Sequence, residues 1–147
     1  MNPRLRRRLA GEDGAVTTEV AVYVPAAALL ACLVWAFGAT ANARTAVESA
    51  ATDAARQASI ARTAGQAQRD ATTTAHQILD EHHLRCHAIT VTVDTSGFTL
   101  PVGQPAEVSV DVSCQVSLAD LSVPGLPGEQ TIHEHAVSAL DTFKARQ

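Results

Sequence analysis

The hydrophobic and polar positions of the chain follow three patterns, one after another. Twenty residues, from Val20 to Ala39, contain no charged side chain. Beyond them, small apolar residues recur at steps of three and four, the period of a helix, as far as Ala61. From Ala88 onward, apolar and polar residues alternate, which is typical of half-buried strands. This order predicts an α+β fold in two layers: a long N-terminal helix, a second helix and an antiparallel sheet of about three strands.

The charge-free stretch is long enough to cross a membrane. As a helix, its twenty residues span about 30 Å, the thickness of the hydrocarbon core. Four arginines among the first eight residues precede it and a net acidic region follows it. The positive-inside rule therefore predicts a single-pass protein of the cell membrane, with a cytoplasmic N-terminus and an extracytoplasmic C-terminus. The alternative is a secretory signal cleaved near Gly38, although the apolar run is longer than that of a usual signal peptide.

The helix that is predicted to continue outside the membrane has one face of small side chains. This face consists of Ala41, Ala43, Ala46, Val47, Ala50, Ala51, Ala54, Ala55, Ala58 and Ala61. Small residues let another backbone approach closely, so the face suits either this protein's own sheet or a helix of a sister subunit. The pattern leaves both open. Gly65 interrupts it, as a kink or as a turn, and a second helix is predicted from about Gln66 to Glu81.

The alternating region predicts the strands and, with the helices, the organisation of the chain. Two strands are expected within residues 88–94 and 107–118, and a third from Thr131 to Leu140. Residues 96–105 and 122–130 are rich in Gly, Pro and Ser and are predicted to be turns. The predicted regions are a cytoplasmic basic leader (1–14), a transmembrane helix (15–40), an extracytoplasmic helical region (41–85) and an antiparallel sheet region (86–147).

The chain has few large side chains with which to build a core. Only 3% of its residues are aromatic, and three of these five residues precede residue 40. Cys86 and Cys114 both follow the membrane segment, in a compartment predicted to be oxidising. We expect them to form a disulfide that stabilises this thin core by about 3 to 4 kcal/mol. Cys32 lies within the apolar run and is expected to be an inert apolar residue.

Several classes of function are disfavoured by the residue types present. The net charge is −4 and the basic residues gather at the start, which does not indicate a nucleic-acid-binding surface. The sole lysine is Lys144, so a Walker A motif is absent, and neither GxGxxG nor GxSxG occurs. The chain is therefore predicted to be non-enzymatic, with no catalytic residue, no cofactor and no nucleic-acid partner.

The histidines are the remaining candidates for chemistry. His82, His83 and His87 lie where the second helix is expected to give way to the first strand, while His133 and His135 share one face of the last strand. Two histidines at this spacing on a strand can share a metal ion. Zinc, however, needs three or four convergent ligands, so we expect solvated histidines and no metal.

Gly14 and Glu19 form a short motif, GAVTTE, directly before the apolar run. A charged side chain costs on the order of 2.5 to 3.5 kcal/mol at the centre of a membrane helix, and less near the interface. The position of Glu19 beside the apolar run therefore needs an explanation. One interpretation is that the Glu19 side chain reaches the headgroup layer and has no further role. The other is that the basic leader, the glycine and the carboxylate together form a functional motif.

This arrangement resembles the processing signature of type IV prepilins, in which prepilin peptidase cuts after the glycine. The resemblance implies cleavage between Gly14 and Ala15. It also implies that Glu19 offsets the charge of a subunit's new amino terminus during assembly, an ion pairing that makes sense where water is scarce. Ala15 stands where many type IV pilins have Phe, which leaves the cleavage itself open.

More specifically, the stretch RRLAGEDGAVTTEVAVYVPAAALL resembles the opening of TadE-like proteins, minor-pilin-like components of Tad (Flp) pilus systems. The ending TIHEHAVSALDTFKARQ resembles their closing strand and tail, while the middle is similar only by pattern. The resemblance implies a pilin-like membrane protein that takes part in pilus assembly or secretion. Its implied partners are membrane lipid, the pilin and other TadE-like or TadF-like subunits, and prepilin peptidase if the chain is processed.

Two other functions stay open at the level of the sequence. The first is a membrane-tethered or secreted module whose sheet or loops bind an external ligand. The second is a type II secretion pseudopilin, which shares the motif around Gly14 and Glu19. The sequence does not separate these from a Tad subunit by composition or periodicity.

Overall fold

A computed structural model describes residues 13–117, 119 and 128–143 of the chain. In this part of the chain the elements are, in order, α1 (Asp13–Ile60), α2 (Ala64–Glu81), β1 (Ala88–Asp94), a short 3-10 helix (Ser96–Thr99), β2 (Glu107–Ser117) and β3 (Glu129–Ala139). The predicted α+β class, with a long N-terminal helix, a second helix and a three-stranded antiparallel sheet, is confirmed. Most of the basic leader and most of the second predicted turn lie outside the described residues.

The sheet has the order β1-β2-β3, with both pairings antiparallel. Cys114 of the central strand stands opposite Ile89 on one side and Ile132 on the other. Successive side chains of a strand point to opposite faces, and the apolar residues of β2 are all buried: Val108, Val110, Val112, Cys114 and Val116. The residues between them, such as Asp111 and Ser113, therefore face away from the core.

The small-residue face of α1 packs into this protein's own core. Eight residues on it are at most 3% exposed, and Ala61, directly after the helix, is 6% exposed; the eight are Ala43, Ala46, Val47, Ala50, Ala51, Ala54, Ala55 and Ala58. Most of them share one cluster with Ala67, Ala71, Ala75 and Leu79 of α2 and with the inward residues of β2. The pattern left a sister helix open as the occupant of this face, but from Ala43 onward the face is already covered. Ala41, the first residue predicted for it, is exposed.

The two helices cover different parts of the sheet. α2 contacts β1. Arg44 of α1 forms an ion pair with Glu134 of β3, with its Nε 2.8 Å from the Oε1 of the glutamate. α2 thus lies against β1, Arg44 reaches β3, and the buried valines of β2 share one core with both helices.

The break between the helices precedes Gly65. α1 ends at Ile60 and α2 begins at Ala64, so Gly65 is the second residue of α2 and is neither a kink nor the turn itself. The side chain of Thr63 accepts a hydrogen bond from the backbone N–H of Gln66 at 3.1 Å. A threonine in this position satisfies one of the free N–H groups at a helix start. This cap sets the beginning of α2 two residues earlier than the sequence predicts.

At its other end, α2 closes with a turn that directs the chain into the core. His83 adopts a left-handed backbone conformation, with φ of 54°. Its N–H donates to the carbonyl of Asp80 at 2.9 Å, and the N–H of Leu84 donates to the carbonyl of Leu79 at 3.1 Å. These are the two hydrogen bonds of a Schellman motif, in which glycine is the usual left-handed residue. Leu84 then packs against the core that contains Leu79.

The connection between β1 and β2 closes one end of the core. Phe98 of the 3-10 helix is buried, and so is Leu140, the residue after β3. The predicted third strand, Thr131–Leu140, is observed as Glu129–Ala139. At the start of the connection, an Oδ1 of Asp94 accepts a hydrogen bond from the N–H of Ser96 at 2.9 Å. Hydrogen bonds from the backbone and then the side chain of Ser96 lower the pKa of the Asp94 carboxyl from its ordinary value.

Candidate membrane segment and domain surfaces

The apolar part of α1 keeps its large side chains on the outside. The chain divides by its internal contacts between Phe37 and Gly38. Before this point, ten large apolar side chains are between 51% and 74% exposed to solvent: Val20, Val22, Tyr23, Val24, Leu29, Leu30, Leu33, Val34, Trp35 and Phe37. A contiguous apolar surface of this kind marks contact with a membrane or another protein. Among the described residues, α1 is also the one helix long and apolar enough to cross a membrane.

The residues of the predicted processing motif lie at the beginning of α1. Gly14 and Ala15 fall in its first turn and Glu19 in its second, immediately before the exposed apolar side chains begin at Val20. Along the helix axis, Glu19 follows Gly14 by roughly 7.5 Å. The side chain of Glu19 and the leader at residues 1–12 lie outside what the structure describes. Processing after Gly14 and a pairing role for Glu19 therefore stay predictions.

Cys86 and Cys114 form the predicted disulfide. Their Cα atoms are 5.4 Å apart and 28 positions separate them in sequence, a Cα separation in the usual range for a disulfide. Cys114 is fully buried at the centre of the sheet, while Cys86 lies half-buried between the end of α2 and the start of β1. The bond therefore fixes the chain that leaves α2 to the central strand, and Cys32 remains a free cysteine on the exposed apolar helix.

The open face of the sheet carries a small polar cluster. Asp111 of β2 stands directly opposite His135 of β3, and its Oδ1 is 3.0 Å from the Nδ1 of that histidine. The Nε2 of His133 is 3.7 Å from the same oxygen. A carboxylate only accepts hydrogen bonds, so His135 donates through Nδ1 in this arrangement. All three side chains are partly exposed to solvent.

Sequence reasoning placed His133 and His135 on one face but missed Asp111 as their shared partner. The register of β2 and β3 creates this contact, and the long connection between the strands gives no sequence signal for that register. Among the residues that the structure describes, no group of three or more His, Cys, Asp or Glu side chains is arranged to hold a metal ion. The cluster lies on the solvent-facing side of the sheet, where all three side chains are polar.

A second polar contact lies on the inward face of the edge strand β3. Glu134 stands opposite Val112 and is half-buried, where Arg44 of α1 pairs with it. An inward-pointing charge is one of the features by which edge strands avoid pairing with strands of other molecules. The sequence pattern did not reveal this pair, because its members are 90 positions apart.

Comparisons of this chain with family models, with curated proteins and with solved structures give no match. A function is therefore inferred from the positions and contacts of this chain's own residues. The structure brings Cys86 to Cys114, and it places Gly14, Ala15 and Glu19 on one helix with the exposed apolar segment.

Proposed function

We propose that this protein is a single-pass membrane subunit, similar to a minor pilin, that takes part in the assembly of a Tad (Flp) pilus. Its N-terminus is cytoplasmic and its disulfide-bonded α+β domain is extracytoplasmic. The observation that carries the proposal is the continuity of α1, one helix from Asp13 to Ile60. That helix contains the Gly14 and Glu19 motif, then the exposed apolar segment, and then the alanines of the domain core.

The burial of α1 supports an anchoring role for its first part and a structural role for its second. Among the described residues, the large apolar side chains between Val20 and Phe37 are more than half exposed, which suits contact with lipid. From Ala43 onward, the small-residue face of the helix is buried within its own domain. The disulfide supports an extracytoplasmic domain, because disulfides persist in oxidising compartments.

The proposed role of Glu19 follows from the cost of a charge beside hydrocarbon. A carboxylate at the start of the apolar segment is stabilised by a positive charge on a neighbouring subunit, since water is scarce there. If prepilin peptidase cleaves after Gly14, the new amino group of Ala15 on a neighbouring subunit supplies that charge. Assembly would then favour the arrangement of subunits in which this amino group pairs with the Glu19 carboxylate.

The experiment that tests this proposal replaces Glu19 with glutamine, which keeps the size of the side chain and removes its charge. In cells that rely on the variant, we expect E19Q to abolish or strongly reduce pili, measured by microscopy and by the amount of sheared pilin. The domain should still fold, as shown by an intact Cys86–Cys114 disulfide in membranes. The matched control is E48Q, an exposed glutamate of the same helix, which should leave pili unchanged. Normal piliation with E19Q would overturn the proposed role.

The mass of the N-terminal peptide of the mature protein shows whether, and where, the chain is cleaved. A start at Ala15 supports processing by prepilin peptidase. A start at Met1 supports an anchored subunit that is not cleaved. A start beyond Gly38 indicates a secreted protein and contradicts the membrane-anchored proposal.

The open face of the sheet favours a second candidate function, a tethered module that binds an external ligand. Asp111 and His135 form a hydrogen bond there, His133 lies 3.7 Å from the same carboxylate oxygen, and all three side chains are accessible. A ligand-binding module would lose function on replacing Asp111 with asparagine and keep it with E19Q. A pilus subunit would lose function with E19Q and keep it when Asp111 is replaced with asparagine. A type II pseudopilin would behave like the pilus subunit with E19Q, but secretion rather than piliation would be lost.

A further inference from the structure

We draw no further inference here: the strongest candidate, the exposed apolar patch formed by Leu100, Val102 and Phe143 where the connection between β1 and β2 meets the turn after β3, carries nothing because nothing in the structure shows what covers it.

Discussion

The apolar segment of α1 and the domain that follows it use apolar side chains in opposite ways. In the segment, the largest side chains, including Trp35 and Phe37, are outermost. In the domain, the buried positions of both helices are mostly alanine, as at Ala54 and Ala71. Large side chains outside suit a lipid surrounding, whereas small side chains inside let two helices and a sheet approach closely.

This difference shows which part of the molecule depends on its surroundings. The apolar segment requires something apolar around it, because exposing so many large side chains to water is unfavourable. The domain covers its own apolar face, but alanine buries little area per residue. The disulfide at Cys114 therefore contributes stability that larger core side chains would otherwise supply.

The largest expected effect comes from placing a charge in the middle of the apolar segment. Replacing Leu30 with lysine should make membrane insertion less favourable by about 3 to 4 kcal/mol, because leucine favours and lysine opposes the hydrocarbon core. The fraction of protein that resists alkaline extraction from membranes measures this. T52K, on an exposed position of α1 within the domain, is the control and should insert normally. Equal insertion of both variants would contradict the assignment of Leu30 to a membrane segment and of Thr52 to the domain outside it.

Removing the disulfide should affect only the domain. In the double variant C86A/C114A, the free energy of unfolding of the domain should fall by about 3 to 4 kcal/mol, since the unfolded chain loses a crosslink. Denaturant unfolding of the full chain in detergent, followed by circular dichroism, measures the change. C32A alters the free cysteine of the apolar segment and should leave domain stability unchanged. A loss of stability in C32A as large as in the double variant would refute this separation.

Enlarging an alanine should have opposite consequences in the two parts. A54L introduces three carbon atoms at a position with no exposed surface, so we expect a loss of about 1 to 3 kcal/mol of domain stability through overpacking. A28L makes the same change at an exposed position of the apolar segment and should not destabilise the domain. Thermal unfolding of both variants in detergent tests the difference. A stable A54L domain would mean that the alanine face is less closely packed than the structure indicates.

The smallest expected effect is a gain in stability at the end of α2. His83 holds a left-handed conformation that favours glycine, so H83G should raise the free energy of unfolding by about 0.5 to 1 kcal/mol. H82G changes the preceding residue, whose φ is −79°, and should give no gain because histidine already suits that conformation. Denaturant unfolding of the two variants side by side makes the comparison. A gain in H82G but not in H83G would show that the turn is formed differently.

The sequence by itself determined the elements and the apolar faces. Alanine at helical spacing and valine at every second position fix which side chains of α1 and β2 can share a core, because these periods follow from backbone geometry. The apolar segment could be recognised from its twenty residues without a charge, and the cysteine pair from the position of both cysteines beyond that segment. The period predicted the end of α2 at Glu81 but placed its start two residues late, since Thr63 sets that start through a local hydrogen bond.

Only the tertiary structure decided what lies against each face. A period identifies an apolar face but not the surface that covers it, so the alanines could have met a sister helix instead of their own sheet. The register of β2 and β3 was equally open, because a connection of this length does not fix which residues stand opposite each other. The contacts of Asp111 with His135 and of Arg44 with Glu134 join residues 24 and 90 positions apart. Packing of the whole domain, rather than any local preference, brings these side chains together.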